Sequence, residues 1–292
     1  MIKKGIILAG GTGSRLSPLT KAVNKQLLPL YDKPLIFYPL SILMLAGIRD
    51  ILIIVNKGQE KNFFNILGNG KRYGIGIKYK IQKKPRGIAD AFMLGKNFIK
   101  KDNVALILGD NFFYGQSLTA KLLKAKKHHS GATVFLKAVK NPESFGVAVI
   151  KKSQISYMAE KPKRFISNQA ITGLYFFDNE VVKIAGKIRP SKRNELEITD
   201  VLKSYQKNRK LTYEEIGRGA VWSDAGKIED LTNLSNFVHS VEKVQDIKIA
   251  CLDEIALNQK WINKKQLESN IKFYGNCDYS NYLKKLNANE SN

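Results

Sequence analysis

GIILAGGTGSRLSPLTKAVNKQLLPLYDKP, residues 5–34, is the stretch from which the rest of the chain is read. Ile6, Ile7, Leu8 and Ala9 form an apolar run without alternation, as expected of a parallel strand covered on both faces. Gly10 and Gly11 end it. With Gly13 they make a loop of little side-chain bulk, so backbone N–H groups can approach a phosphate, and Thr12 and Ser14 add hydroxyls. No Lys follows the last glycine, which excludes a Walker loop, and Leu16 stands where the dinucleotide pattern needs a third glycine. Arg15 and Lys25 supply the missing charge, one as a planar fork of donors and the other as a point charge on a flexible stem. A GG-x-G loop alone is more often a plain tight turn. Arg15 and the KQLLP segment reverse that reading.

At 292 residues, with no Pro/Gly/Ser-rich linker, low-complexity tract or internal repeat, the chain reads as one domain with additions. Too few residues precede the first strand for a secretion signal, and the apolar segment 34–48 is interrupted and too short to span a bilayer. A soluble, cytoplasmic protein that does not engage a membrane is expected. Cys251 and Cys277 lack the spacing of a zinc site or a disulfide framework. A net charge of +24 raises nucleic-acid binding as a competing function. The basic residues are dispersed with no arm or binding motif, so no nucleic-acid partner is expected; a basic surface equally attracts nucleotides and sugar phosphates.

Beyond the loop the pattern predicts a helix over 35–46, a strand over 51–55, a helix over 59–67, a strand over 76–81, a helix from about Ile88 to Phe98 and a strand over 104–108. This alternation predicts an α/β fold, Rossmann-like, with a mixed, mainly parallel sheet and helices on both faces. Ligands in such sheets sit beyond the carboxyl ends of strands. Gln82 stands there, where its amide could meet a base edge, although a Gln after a strand is usually a solvated turn residue. Gly87 would leave room for a ring. Asp110, after the strand at 104–108, suits one oxygen ligand of Mg²⁺. Strands are expected at 132–138, 146–150, 155–158 and 171–177. From Glu229 the chain reads as a helical C-terminal addition, with helices at 231–244, 253–260, 264–270 and 279–286. His239 reads as a packing or surface residue, His128-His129 as a solvated helix end, and Trp261 as either an interface anchor or core.

The sequence resembles the glucose-1-phosphate thymidylyltransferases, sugar-nucleotide pyrophosphorylases of the nucleotidyltransferase superfamily. GG-x-G-x-R-L-x-P-x-T stands at 10–20 and KQLLP-x-YDKP at 25–34. LGDN at 108–111, FFYG at 112–115, EKP at 160–162, TGLYFFD at 172–178, ELEITDV at 195–201, GRG at 217–219 and ACLDEIA at 250–256 follow in family order. The resemblance implies nucleotide contacts from Gly10, Gly11, Thr12, Gly13, Ser14, Gln26, Gln82 and Gly87. It implies catalytic roles for Arg15, Lys25 and Lys161, and a sugar-phosphate pocket of Asn111, Gly146, Glu160, Ile171 and Tyr175. Asp224 would join Asp110 as the second Mg²⁺ ligand. It further implies a core over 1–228, divided into a nucleotide half to about 110 and a sugar-phosphate half beyond. Residues 229–292 would provide subunit contacts in a homotetramer, and a feedback site would lie near Tyr114, Gly115 and 250–255.

Several positions depart from the family pattern. Asn24 stands for Ser, Ala159 for Glu and Phe145 for Tyr; AGK at 225–227 replaces TGT, and Asn258 replaces a basic residue. Lys227 could pair with Asp224, face a leaving pyrophosphate, or simply open the next helix. The implied reaction is attack by glucose 1-phosphate on the α-phosphorus of dTTP, giving dTDP-glucose, the first step towards dTDP-deoxysugars such as dTDP-rhamnose. The nucleophile is already an anion, so no general base is needed. Another nucleotide or sugar phosphate, or a non-catalytic regulatory role, remains the alternative.

Overall fold

The computed structural model describes residues 1–127 and 130–289, so the expectation for His128-His129 lies outside the described residues. The opening apolar run is strand β1 (Lys4–Ala9). After the glycine loop come a short helix α1 (Leu19–Ala22), a hairpin of β2 (Pro29–Leu30) and β3 (Lys33–Pro34), and the buried helix α2 (Phe37–Leu45). Then follow β4 (Asp50–Asn56), α3 (Glu60–Leu67), β5 (Gly76–Gln82), α4 (Asp90–Leu94), α5 (Lys96–Ile99) and β6 (Val104–Leu108). The next segment holds β7 (Phe112–Gly115), α6 (Leu118–Lys127), β8 (Ala132–Ala138), β9 (Gly146–Lys151), β10 (Gln154–Glu160) and β11 (Gln169–Phe177). It continues through α7 (Glu180–Ala185), α8 (Ile198–Lys207), β12 (Leu211–Glu215) and β13 (Ala220–Ser223). Four helices close the chain: α9 (Ile228–Gln245), α10 (Leu252–Asn258), α11 (Lys264–Tyr274) and α12 (Asp278–Asn289).

The main sheet runs β10-β9-β11-β6-β1-β4-β5, with β8 also on β11 and β12 on β8. Its β6-β1-β4-β5 part is parallel, and the pairs made by β11 are antiparallel. The absence of alternation in β1, β4 and β6 now has a direct cause. Ile7, Ile53 and Ile107 feed the core on one face, and Ile6, Leu52 and Leu106 feed the core on the other. Ala9 pairs with Val55 and Asn56 with Gln82, so the carboxyl ends of β1, β4 and β5 form one rim. The glycine loop, Asn56 and Gln82 all stand on it.

The stretch expected to be one helix from Ile88 to Phe98 is two, α4 and α5, parted at Gly95, the weakest helix former in it. Gln82, expected after its strand, is the last residue of β5. A third buried cluster joins Leu16, Leu30 and Tyr38 to Leu231, Leu234 and Val238 of α9, so the first C-terminal helix packs directly under the loop and hairpin. Ionic contacts reinforce this join. Buried Lys33 pairs with Asp32 and, at 3.1 Å, with Glu242 of α9, while Lys248 reaches Asp32 at 2.5 Å and Glu242 at 3.4 Å. Trp261 packs against the protein's own core beneath the Arg49 guanidinium. His239 is exposed beside the Tyr31 ring. Both cysteines are free. Among the described residues no helix is long and apolar enough to cross a membrane.

Candidate active site

The glycine loop is held from the neighbouring strand. Asn56, at the end of β4, donates to the Gly11 carbonyl at 2.7 Å and accepts from the Gly11 N–H at 3.1 Å, closing an amide-to-peptide pair. On the other side the Gln82 amide oxygen lies where a Cβ at position 10 would stand, so a larger residue there would displace that amide from its place at the loop. Gln82 in turn donates to Asp90 at 3.2 Å. Asn24 caps the turn that carries Lys25 by accepting from the Gln26 N–H, a role its usual counterpart Ser would also fill. Gln26 itself is buried, with an amide oxygen that has no hydrogen-bond partner.

Lys25 connects loop and acids. Its ammonium donates to Asp110 at 2.6 Å and to the backbone carbonyl of Asp224 at 3.1 Å. Asp110 follows β6, and Asp224 follows β13, which is paired with β7. The Gly226 N–H donates to the Asp224 carboxylate at 3.2 Å. The AGK departure therefore still orients that carboxylate, with Ala225 in the left-handed region. Burial, and then the Asp110 charge, raise the Asp224 pKa against the opposing effect of Lys25 and Arg15. Lys227 is exposed at the start of α9, its N–H bonded to Asp230 at 2.8 Å, and it makes no ion pair with Asp224. It stands at the opening of the helix, so the pairing with Asp224 is not formed.

Two cavities meet here. One, of about 210 Å³, is bounded by Gly10, Gly11, Gly13, Ser14, Lys25, Gln26 and Asp110. The other, of about 150 Å³, is bounded by Asn111, Gly146, Glu160, Lys161, Ile171, Tyr175 and Asp224, and Arg15 borders both. Thr12 faces outward from the loop. Asn111 is fully buried, its carbonyl accepting from Gly173 N–H at 3.0 Å and Trp222 Nε1 at 2.7 Å, its NH₂ donating to Asp110 at 3.0 Å. Asn111 thus orients Asp110 as well as lining the pocket. Gly87 borders neither cavity. Its φ is +102°, and a Cβ there would lie 2.5 Å from the Leu196 backbone, so close packing of two segments accounts for the glycine.

Glu160 shares its surroundings with residues that the sequence reading passed over. Thr199 donates to it at 3.3 Å, and Arg193 lies 3.6 Å away while binding Glu197 at 2.7 Å. Burial and the Glu197 charge raise the Glu160 pKa, with Arg193, Lys161 and Thr199 opposing. Burial also acts against charge on Glu197, but hydrogen bonds from Arg193 and Ser191 outweigh it and hold that carboxyl below its usual value. Trp222 packs tilted against Phe145, ring centres 5.0 Å apart. The ELEITDV block contained Glu197 and Thr199 but gave no sign of which side chains turn inward; Asn56 had no motif at all.

A family model described as nucleotidyl transferase matches residues 4–241. A glucose-1-phosphate thymidylyltransferase of Neisseria meningitidis is 48% identical over 284 residues, 97% of this chain and 99% of that protein. The chain belongs to the glucose-1-phosphate thymidylyltransferases of the nucleotidyl transferase family. The protein of the same name from Mycobacterium tuberculosis is 42% identical, over 97% of this chain and 98% of that one. Among solved structures, a putative glucose-1-phosphate thymidylyltransferase of Bacillus anthracis in complex with a sucrose aligns with a TM-score of 0.75 and 40% identity. That alignment covers 80% of this chain and 94% of that one. A UDP-glucose pyrophosphorylase complexed with UDP-glucose aligns with a TM-score of 0.71 and 26% identity, over 82% of this chain and 99% of that one.

Proposed function

We propose that this chain transfers a thymidylyl group from dTTP to glucose 1-phosphate, giving dTDP-glucose and pyrophosphate. The observation that carries this function is the convergence of Lys25, Asp110 and Asp224 between the loop-side cavity and the Glu160-side cavity. The names and high identity of the relatives support the choice of substrates.

The loop N–H groups and Arg15 would bind the nucleotide phosphates, and Gln82 and Gln26 the base. The partnerless buried oxygen of Gln26 suits a ring N–H donor. Glu160 would accept from sugar hydroxyls, and Lys161 would orient the attacking phosphate. An oxygen of that phosphate bonds to the α-phosphorus as the bond to the bridging oxygen breaks. Pyrophosphate departs with the electron pair, and no proton has to move. Lys25 neutralises charge at the reacting phosphates throughout.

Asp110 and Asp224 fit a divalent cation. They are two hard carboxylate donors, one of which, Asp224, has its pKa raised by burial and then by the charge of the other, and Mg²⁺ takes few carboxylates and completes its shell with phosphate oxygens and water. Mg²⁺ held there would act as a Lewis acid on the phosphates and stabilise the leaving charge. We further propose a cytoplasmic homotetramer with contacts through residues 229–292, an assignment supported by exposed Val244 and Phe273 on those helices and checked by light scattering. Pyrophosphate release across the four nucleoside triphosphates and several sugar 1-phosphates tests the function: dTTP with glucose 1-phosphate should be the fastest pair. Silence with every pair would refute catalysis.

A further inference from the structure

β1 ends at Ala9, which pairs with Val55 of β4, so the Gly11 peptide lies past the last rung of backbone pairing. A side chain takes the place of the missing rung. Asn56, the next residue of β4, donates to the Gly11 carbonyl at 2.7 Å and accepts the Gly11 N–H at 3.1 Å. Its amide offers a donor and an acceptor as a peptide group does, and so satisfies both backbone groups that the sheet leaves behind. Asn56 is itself fixed, paired with Gln82 of β5 and accepting from the Gln59 N–H at 3.1 Å through its own carbonyl. Gly11 has a φ of +98°, and a Cβ there would meet nothing within 4 Å, so torsion rather than crowding calls for glycine. Asn56 holds the peptide in that torsion. It is not among the residues that bound the cavity of about 210 Å³.

Glycine loses more conformational freedom on ordering than any other residue, and this loop has three, at 10, 11 and 13. A nucleotide that had to order the loop on binding would lose that much affinity. From this geometry we infer that Asn56 is a positioning residue for nucleotide binding: its amide pre-orders the Gly11 peptide, so that the loop meets the nucleotide already shaped. This assignment rests on the transfer reaction proposed above and adds to it a residue that acts through the loop. The charged groups of the site do not depend on it. Lys25 is held by Asp110 and by the Asp224 carbonyl, and Asn56 does not border the Glu160-side cavity. Loss of the Asn56 amide should therefore fall on dTTP binding and spare both the sugar phosphate and the chemical step.

The test is calorimetric titration of dTTP, with Mg²⁺, into the native chain, Asn56→Ala and Asn56→Leu, together with amide hydrogen exchange of the peptide that spans the loop. Leu keeps the volume of Asn and removes both hydrogen bonds. Ile54→Val, in the buried part of the same strand, lowers stability without touching the loop and serves as the control. Both Asn56 variants should raise the dTTP Kd on the order of tenfold, as the loss of two hydrogen bonds allows, and should speed exchange in the loop peptide. In turnover, KM for dTTP should rise by a similar factor while kcat and KM for glucose 1-phosphate hold. Ile54→Val should bind dTTP as the native chain does. A native Kd in both Asn56 variants, recovery in Asn56→Leu alone, which would make packing the cause, or an equal loss in Ile54→Val would overturn the assignment. A native chain that neither binds nor turns over dTTP would instead overturn the transfer reaction, and unchanged exchange in the loop peptide of the Asn56 variants would still refute the role given to Asn56.

Discussion

Lys25 is more than 90% buried and its ammonium bridges two acidic residues, so its charge is delivered to one place at no cost in reorganisation. Lys25→Ala should lower kcat by about 10²–10³ with little change in either KM, measured by initial rates. Glu160 makes a different prediction. Its folded pKa lies above its unfolded value, so the ionised form is disfavoured in the fold at neutral pH, and that cost is relieved as pH falls through the raised value. Glu160→Gln should therefore unfold at higher temperature than the native chain at pH 7, with the gap closing as pH is lowered, while KM for the sugar phosphate rises. An equal gap at every pH would contradict the cause given for the shift. Lys227→Thr should leave half-saturating Mg²⁺ unchanged in initial-rate titrations, because Lys227 makes no ion pair with Asp224. At this scale the sequence was legible where one segment carries its own chemistry, as in Gly10–Arg15 and Lys25. It was silent about Asn56 and Arg193, whose partners lie 45 and 33 residues away along the chain and meet them only in the fold.

The hairpin β2–β3 is the element that fixes Lys25 from below. Ile36 N–H donates to the Gln26 carbonyl at 2.8 Å and Leu28 N–H to that of Lys25 at 3.2 Å, and the hairpin is anchored to α9 by the Asp32–Lys33–Glu242–Lys248 cluster. Glu242→Ala would leave Lys33, almost fully buried, with Asp32 alone, and should cost about 3–5 kcal/mol in denaturant unfolding. The YDKP block is thus a structural brace, which its position in a catalytic motif does not reveal. Periodicity found β1, β4 and β6 because strands buried on both faces are continuously apolar. It joined α4 to α5 because Gly95 is a single weak helix former in an otherwise helical pattern. It passed over β12, whose half-exposed residues carry no continuous apolar run.

Across the whole molecule, two halves of the main sheet meet at β6 and β11, and the Glu160-side cavity is bounded by residues of both strands, Leu108 and Tyr175 among them. The seam closes through Leu196, whose backbone bonds to Arg86 at 2.7 Å and Ala89 at 3.1 Å across Gly87. The central claim is that sugar phosphate and pyrophosphate occupy opposite sides of one phosphorus, with no side chain that must bond to it. The most direct measurement uses dTTP carrying sulfur on the α-phosphorus as a single stereoisomer. Its configuration in the sugar-nucleotide product is read by phosphorus NMR. A single displacement predicts inversion. Retention would mean two displacements through a nucleotidyl group carried on the protein, and would contradict direct transfer between the two substrates.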